Sequence, residues 1–256
     1  MGQTYLAGND GTELQMNDTE LGTTLNYPNF FFSGEPLRVS PGFILHLWDG
    51  PVSPSADLPA RAYSSFLAFD FSTSAQQQFG VDLNFSLGLY TDFNGLTSDA
   101  FRFKGAGLGR VRLAPDLTFR FGVVYWDRLE VTLLPAVGFF WTPTPDARME
   151  IFFPYPKLAR RFPQVGNSDV WGYIRGEYGG DTFSIERTTG PGAGLHDQVD
   201  IIDYRILVGT EWTTLKGATG FFEGGYVFGR ELAYRHFPGD NTDIDSTFMF
   251  RTGFSF

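Results

Sequence analysis

The feature that most restricts this chain is a strict alternation of apolar and polar residues, repeated in segment after segment. Between Phe79 and Leu89 every odd position is apolar (Phe79, Val81, Leu83, Phe85, Leu87, Leu89), with Gly80, Asp82, Asn84, Ser86 and Gly88 between them. A period of two sends successive side chains to opposite faces of a β-strand, so one face here is greasy and the other polar. The next segment repeats the pattern. Phe101, Phe103, Gly105, Gly107, Gly109, Val111 and Leu113 share one face, and Arg102, Lys104, Arg110 and Arg112 the other. Further on, Tyr204, Ile206, Val208 and Trp212 alternate with Asp203, Arg205 and Glu211.

Soluble sandwiches alternate too, but their strands usually run to about 5–6 residues. The segments here reach the roughly 9–11 residues that a tilted strand needs to cross a bilayer. Inside a bilayer every backbone N–H and C=O must find a partner, so an antiparallel sheet there has to close on itself. The sequence therefore predicts an all-β fold: a transmembrane, antiparallel up-and-down β-barrel of the outer membrane. Composition agrees. The chain holds 28 Phe and 31 Gly, which leaves few helix formers, and charged residues make 19% against about 25% in an ordinary soluble domain. No run of about 18 apolar residues is present, so no transmembrane helix is expected. The lack of cysteine excludes disulfides and thiolate metal sites. A net charge of −10 argues against nucleic acid, whose phosphates need a basic face. Residues 1–12 lack the basic start and apolar core of a signal peptide, so the mature form of an exported chain is expected.

Twelve strands are expected, at about 37–48, 61–72, 78–91, 101–113, 117–127, 131–141, 147–153, 169–178, 181–187, 201–213, 219–230 and 246–256. Their connections alternate between short and long, as periplasmic turns and external loops do, and an even count puts both ends on the periplasmic side. Two domains follow: residues 1–36 as a periplasmic or plug segment, and residues 37–256 as the barrel. Glu20–Tyr27 read as a strand would raise the count to fourteen.

The last strand carries its own signal. Phe248, Phe250, Phe254 and Phe256 fall on one face, the aromatic ending that barrel-assembly machinery reads. The runs Leu134-Pro135-Ala136-Val137-Gly138, Ile151-Phe152-Phe153-Pro154-Tyr155-Pro156-Lys157, Glu177-Tyr178-Gly179-Gly180 and Asp203-Tyr204-Arg205 add a resemblance, as do Glu223 to Phe228 and Arg251 to Phe256. Over most of residues 20–256 the chain resembles a family of bacterial outer-membrane barrel proteins of unknown function. The resemblance implies a fold and a membrane, and no activity. The partners expected are the lipid bilayer with its lipopolysaccharide, the assembly machinery, and either envelope proteins or further copies of the chain.

If the greasy faces meet lipid, the opposite faces line the lumen. The inward basic set is then Arg102, Lys104, Arg110, Arg112, Arg120, Arg175, Arg205 and Arg251. The acidic set is Asp70, Asp82, Glu177, Glu186, Asp203, Glu211 and Glu223. The first five basic residues lie on two neighbouring strands and make one basic wall. A purely structural network would more often interleave signs across strands, so the wall favours a porin-like channel for small hydrophilic, anionic solutes. A closed structural or assembly barrel is the alternative. An enzyme is a distant third, and no catalytic residue or cofactor is expected. Of the histidines, His46 shares a face with Ser40, but six residues along a strand is about 20 Å; His196 and His236 fall in loops near Asp197 and Asp240. No Gly-x-Ser-x-Gly or His-Glu-x-x-His occurs. The glycines of 105–109 sit on a strand face and not in a nucleotide loop. The acidic run Asp240, Asp243 and Asp245 lacks the glycine and terminal glutamate of a calcium loop, so no metal is expected. Lys157, Arg160 and Arg161, in the stretch between Pro154 and Pro163, are read as an external loop that meets lipid phosphates or narrows the mouth.

Overall fold

The computed structural model describes residues 1–8, 14–51, 56–94, 97–163 and 166–256. Alternation becomes a wall of fourteen strands: β1 (Gly2–Leu6), β2 (Gln15–Gly22), β3 (Leu37–Asp49), β4 (Arg61–Ser72), β5 (Phe79–Thr91), β6 (Phe101–Ala114), β7 (Leu117–Tyr125), β8 (Leu133–Thr144), β9 (Ala147–Phe153), β10 (Lys157–Arg161), β11 (Ser168–Gly179), β12 (His196–Thr214), β13 (Thr219–Tyr234) and β14 (Thr247–Ser255). Each pairs antiparallel with its neighbours in sequence, and β14 pairs with β1, Phe250 opposite Tyr5, so the ring closes. The surface is 13,682 Å², against about 11,300 Å² expected from the mass scaling of compact proteins at 28.6 kDa. The excess suits a hollow body with two accessible faces.

The fourteen-strand alternative is therefore the one the chain adopts. Residues 1–36 are not a separate segment: β1 and β2 are wall, in register with β14 and β3. Their short, amide-rich sequences hide them, because Gln3, Gln15, Asn17 and Thr19 replace the apolar half of the alternation. Residues 157–161 are strand β10 and not a long external loop, again because charged residues break the pattern. Conversely, the expected strand at 181–187 is no separate wall strand. Residues Thr182–Glu186 continue β11 in one register against β12, Gly179 opposite Asp203 and Thr182 opposite Asp200.

Both termini lie at one end of the barrel, where the Met1 amine donates to the Phe254 carbonyl at 3.0 Å. The tight turns 72–79, 114–117, 144–147 and 214–219 share this turn end. The connection 22–37 lies at this end too, whereas 49–61, 91–101, 125–133, 179–196 and 234–247 lie at the other, the loop end. Outward positions are apolar and roughly half exposed around the ring, among them Leu83, Phe85, Phe103, Phe121, Val137, Ile151, Ile206, Phe222 and Phe250.

The buried apolar core lies inside the wall at the loop end. Leu6, Met16, Trp48, Ala62, Tyr90, Leu207, Val227 and Met249 point in from the strands and meet Phe183, Ile185, Val199 and Ile201. Those four belong to the hairpin formed by residues 182–186 and the start of β12, which bends over the mouth. Gly180, at φ +77°, makes the bend; a Cβ there would sit 1.7 Å from the Ile201 carbonyl oxygen, so only glycine fits. The hairpin crosses to the far side of the ring, where Ser184 bridges Thr91 of β5.

Candidate functional site

Because each wall strand keeps its alternation, the inward side chains form ladders across neighbouring strands. The largest spans β11 to β14. Arg175 holds Glu223 and Glu177, both at 2.7 Å; Arg251 reaches Glu177 at 3.0 Å and Glu223 at 3.1 Å. Arg205 joins Glu177 at 3.0 Å and Asp203 at 2.5 Å. Tyr173 donates to Glu223 at 2.8 Å. Glu223 is fully buried, a position that a carboxylate holds only with such partners. Nearer the turn end Lys157 pairs with Glu211 at 2.6 Å. Of the cluster expected in an external loop, Lys157 thus points into the lumen, and Arg161 pairs with Asp169 at 2.5 Å.

The basic wall is where the pattern puts it, with Arg102, Lys104, Arg110 and Arg112 inward on β6 and Arg120 inward on β7. Most of it is engaged. Arg110 stands directly opposite Arg120, and Asp82 on β5 lies between them at 3.3 and 3.5 Å. Arg110 also donates to the carbonyls of Thr73 at 2.6 Å and Ser74 at 3.0 Å, which staples the β4–β5 turn. Lys104 is paired with Asp181 at the root of the hairpin and donates to the Tyr90 hydroxyl at 3.1 Å. Arg112 caps the Pro115 carbonyl at 3.2 Å. Asp70 accepts from Asn84 at 2.7 Å. Glu186, expected in the lumen wall, sits on the hairpin.

The hairpin is fastened by further polar contacts that the one-dimensional pattern does not reveal. Buried Arg128, from the β7–β8 connection, bonds Asp200 at 2.9 Å, the Gly179 carbonyl at 2.7 Å and the Ile201 carbonyl. Asp200 also accepts from Thr182 at 2.9 Å. Above the hairpin, Asp57 accepts from the amides of Thr188 (2.5 Å) and Thr189 (2.9 Å), and Arg187 lies 2.8 Å from Asp240. Burial pushes the Asp57 carboxyl up, but the hydrogen bonds of Thr189 and Thr188 and the Arg187 charge outweigh it and hold it below its ordinary value.

His46 does not meet Ser40, which bonds Thr24 at 3.0 Å. Its Nδ1 meets Asp18 at 2.8 Å and its Nε2 meets Ser64 at 2.9 Å, on the strands to either side. The connectivity is that of an acid–base–nucleophile relay. However, Ser64 is buried, and the Phe183 ring lies 5.0 Å from the imidazole. Ser64 also sits within the ladders between β3 and β5. That leaves neither room for a substrate nor free amides for an oxyanion, and the arrangement is that of a buried imidazole with both nitrogens satisfied. Sequence reading missed Asp18 and Ser64 because only the register of β2 and β4 against β3 brings them to His46. His236 bonds Asp197 at 3.1 Å in the loop-end cap, His196 opens β12, and the glycines of 105–109 face outward on β6. Asp240 is taken up by Arg187, and among the described residues no group of three or more His, Cys, Asp or Glu is placed to hold a metal.

A cavity of about 920 Å³ occupies the turn half of the lumen, from Met1, Thr213 and Ser255 up to Asp18 and Arg205. Five basic and five acidic side chains line it. None of the core residues that fill the loop half borders it. The lumen is thus a vestibule open at the turn end and stopped by the hairpin. Neither protein-family models nor curated protein sequences give a match to this chain.

Proposed function

We propose that this chain is an outer-membrane barrel that is sealed at rest by its own hairpin, with a charge-lined vestibule facing the periplasm. One observation carries the membrane part: apolar side chains stay half exposed around the ring, far more than the few hundred Å² that soluble monomers leave open in one patch. Tyr63, Tyr125, Tyr155, Tyr204 and Tyr226 stand near the loop end, and Trp141, Trp212 and Tyr27 near the turn end, as aromatic girdles do. The outward Phe248, Phe250 and Phe254 and the terminal Phe256 suit an assembly signal. The sealed state rests on Phe183, Ile185, Val199 and Ile201 filling the mouth. Passage of small solutes in the manner of a porin requires that the hairpin leave.

Planar bilayers test this. The intact chain is expected to give no stable conductance, and a variant with residues 183–199 replaced by a short Gly/Ser linker to conduct, with heat-modifiable gel migration showing that the barrel is kept. Steady conductance from the intact chain would overturn the sealed reading. Solubility without detergent would overturn the membrane reading.

A further inference from the structure

Among the described residues the apolar exterior gives way to a cluster of side-chain amides and hydroxyls on two adjacent strands. On β14 the outward residues are Phe248, Phe250, Thr252 and Phe254, and on β3 they include Phe43, Leu45 and Leu47. Between these strands, β1 and β2 turn Gln3, Gln15, Asn17 and Thr19 outward, with Tyr5 among them. The stripe is two strands wide, about 10 Å. Its groups bond each other only in part. Gln3 donates to Asn17, Thr19 donates to Gln3 at 2.8 Å, and Tyr5 lies 3.5 Å from Gln15. Among the described residues the side-chain amides of Asn17 and Gln15 donate no hydrogen bond. Facing lipid, each unmet donor would cost on the order of several kcal/mol.

We propose that this stripe is the contact between two copies of the chain in the membrane, an inference that rests on the membrane reading above. Two copies inserted by one route have their termini on the same side, so the two-fold axis relating them lies along the barrel axis. Every level of the stripe then meets its own level. A surface that must face itself level by level is complementary only where each group both donates and accepts. Amides and hydroxyls do so, whereas carboxylates or guanidinium groups would repel their copies. From Gln15 to Thr19 the outward groups of the stripe are amides and hydroxyls without a charge, and Leu21 follows at the turn end. The charges of the same strands, Asp18 and Glu20, lie on the opposite face and line the vestibule.

The chain has no cysteine, so single cysteines report contacts directly. In lipid vesicles Asn17→Cys is expected to form a disulfide-linked dimer under mild oxidation, and Phe85→Cys, outward on a distant strand, is not. Native mass spectrometry from detergent is expected to give twice the mass of the chain, falling to the monomer for Gln3→Leu/Asn17→Leu/Thr19→Leu with heat-modifiable migration retained. A monomeric intact chain whose Asn17→Cys cross-links no better than Phe85→Cys would overturn the proposal, and the stripe would then face lipid or a different protein. Failure of the membrane reading shows separately, as a chain that stays soluble without detergent.

Discussion

Replacing Phe183 with alanine should loosen the seal by an amount that the packing sets. The ring is 2% exposed and touches three residues of the wall: Trp48 at 4.9 Å between centroids, His46 at 5.0 Å and Tyr90 at 6.0 Å. All three contacts join hairpin to wall, so all are lost when the hairpin lifts and the substitution weakens the closed state alone. Truncating a buried Phe to Ala costs about 3–5 kcal/mol, and about 1.4 kcal/mol is a factor of ten. The open fraction should therefore rise by between roughly a hundredfold and a few thousandfold. Ser64 is buried and bonded to His46, which the ring packs against, and Ser64→Cys is nearly isosteric in a chain without other thiols, so its reaction with a polar maleimide reads the opening. In the Phe183→Ala background that rate should rise by about the same factor. A rise of less than about threefold, with heat-modifiable migration intact, would mean that the Phe183 contacts do not hold the hairpin. The polar anchors of Asp181 and Asp200 would then have to do so.

Three other perturbations test the barrel and its cap. Phe85→Arg, outward, should cost about 2–4 kcal/mol in urea unfolding from vesicles; Asn84→Arg, one residue earlier and facing Asp70 in the lumen, should cost much less, and equal costs would contradict the assigned faces. Charge at Phe256 should reduce membrane assembly far more than the same change at Ser255, as counted by the folded fraction in outer-membrane preparations. Asp57 tests the cap through pH. Its folded-state pKa lies below the unfolded one, so its contribution is present above about pH 4 and is lost as pH falls through the folded value. The protection of the Thr188 and Thr189 amides against hydrogen exchange, taken relative to the intrinsic rate at each pH, should thus fall as pH drops through that value, and Asp57→Asn should remove the dependence.

The parts legible in the sequence are those where side chains alone decide. Strands β3 to β9 and β11 to β14 could be read from alternation because each sets a continuous greasy face against a polar one, and the inward position of Arg102, Lys104, Arg110, Arg112 and Arg120 follows from the same parity. β1 and β2 escaped because their outward residues are polar, and β10 because Lys157, Arg160 and Arg161 resemble a solvated loop. The hairpin was illegible for a different reason. Phe183, Ile185, Val199 and Ile201 alternate like any wall strand, and what sends them into the lumen is a single left-handed glycine at position 180 whose neighbours keep their register. Pairings such as Asp18 with His46, or Asp82 between Arg110 and Arg120, depend on strand offsets that no single strand reveals.

Ring size explains why the lumen needs that hairpin. Eight strands enclose a space that side chains fill, whereas 16–18 leave a channel; fourteen leave more room than inward side chains close. An irregular loop folded into that space would bury unpaired backbone groups. The hairpin avoids this because residues 182–186 and 196–200 already pair with each other, so it enters the lumen with its backbone paired, apolar Phe183, Ile185 and Val199 filling the space and two carboxylates at its root. Those carboxylates, Asp181 and Asp200, meet Lys104 and Arg128, and the cations at the mouth are thereby occupied in holding the seal. In the closed barrel Asp181 neutralises Lys104, and Arg110 and Arg120 share Asp82. Lifting the hairpin would withdraw both carboxylates and leave Lys104, Arg128 and the buried Arg102 together at the narrow mouth. An anion preference should therefore be greatest in the opened barrel once both carboxylates are gone: the linker variant that also carries Asp181→Asn and Asp200→Asn should prefer anions more strongly than the linker variant that keeps them.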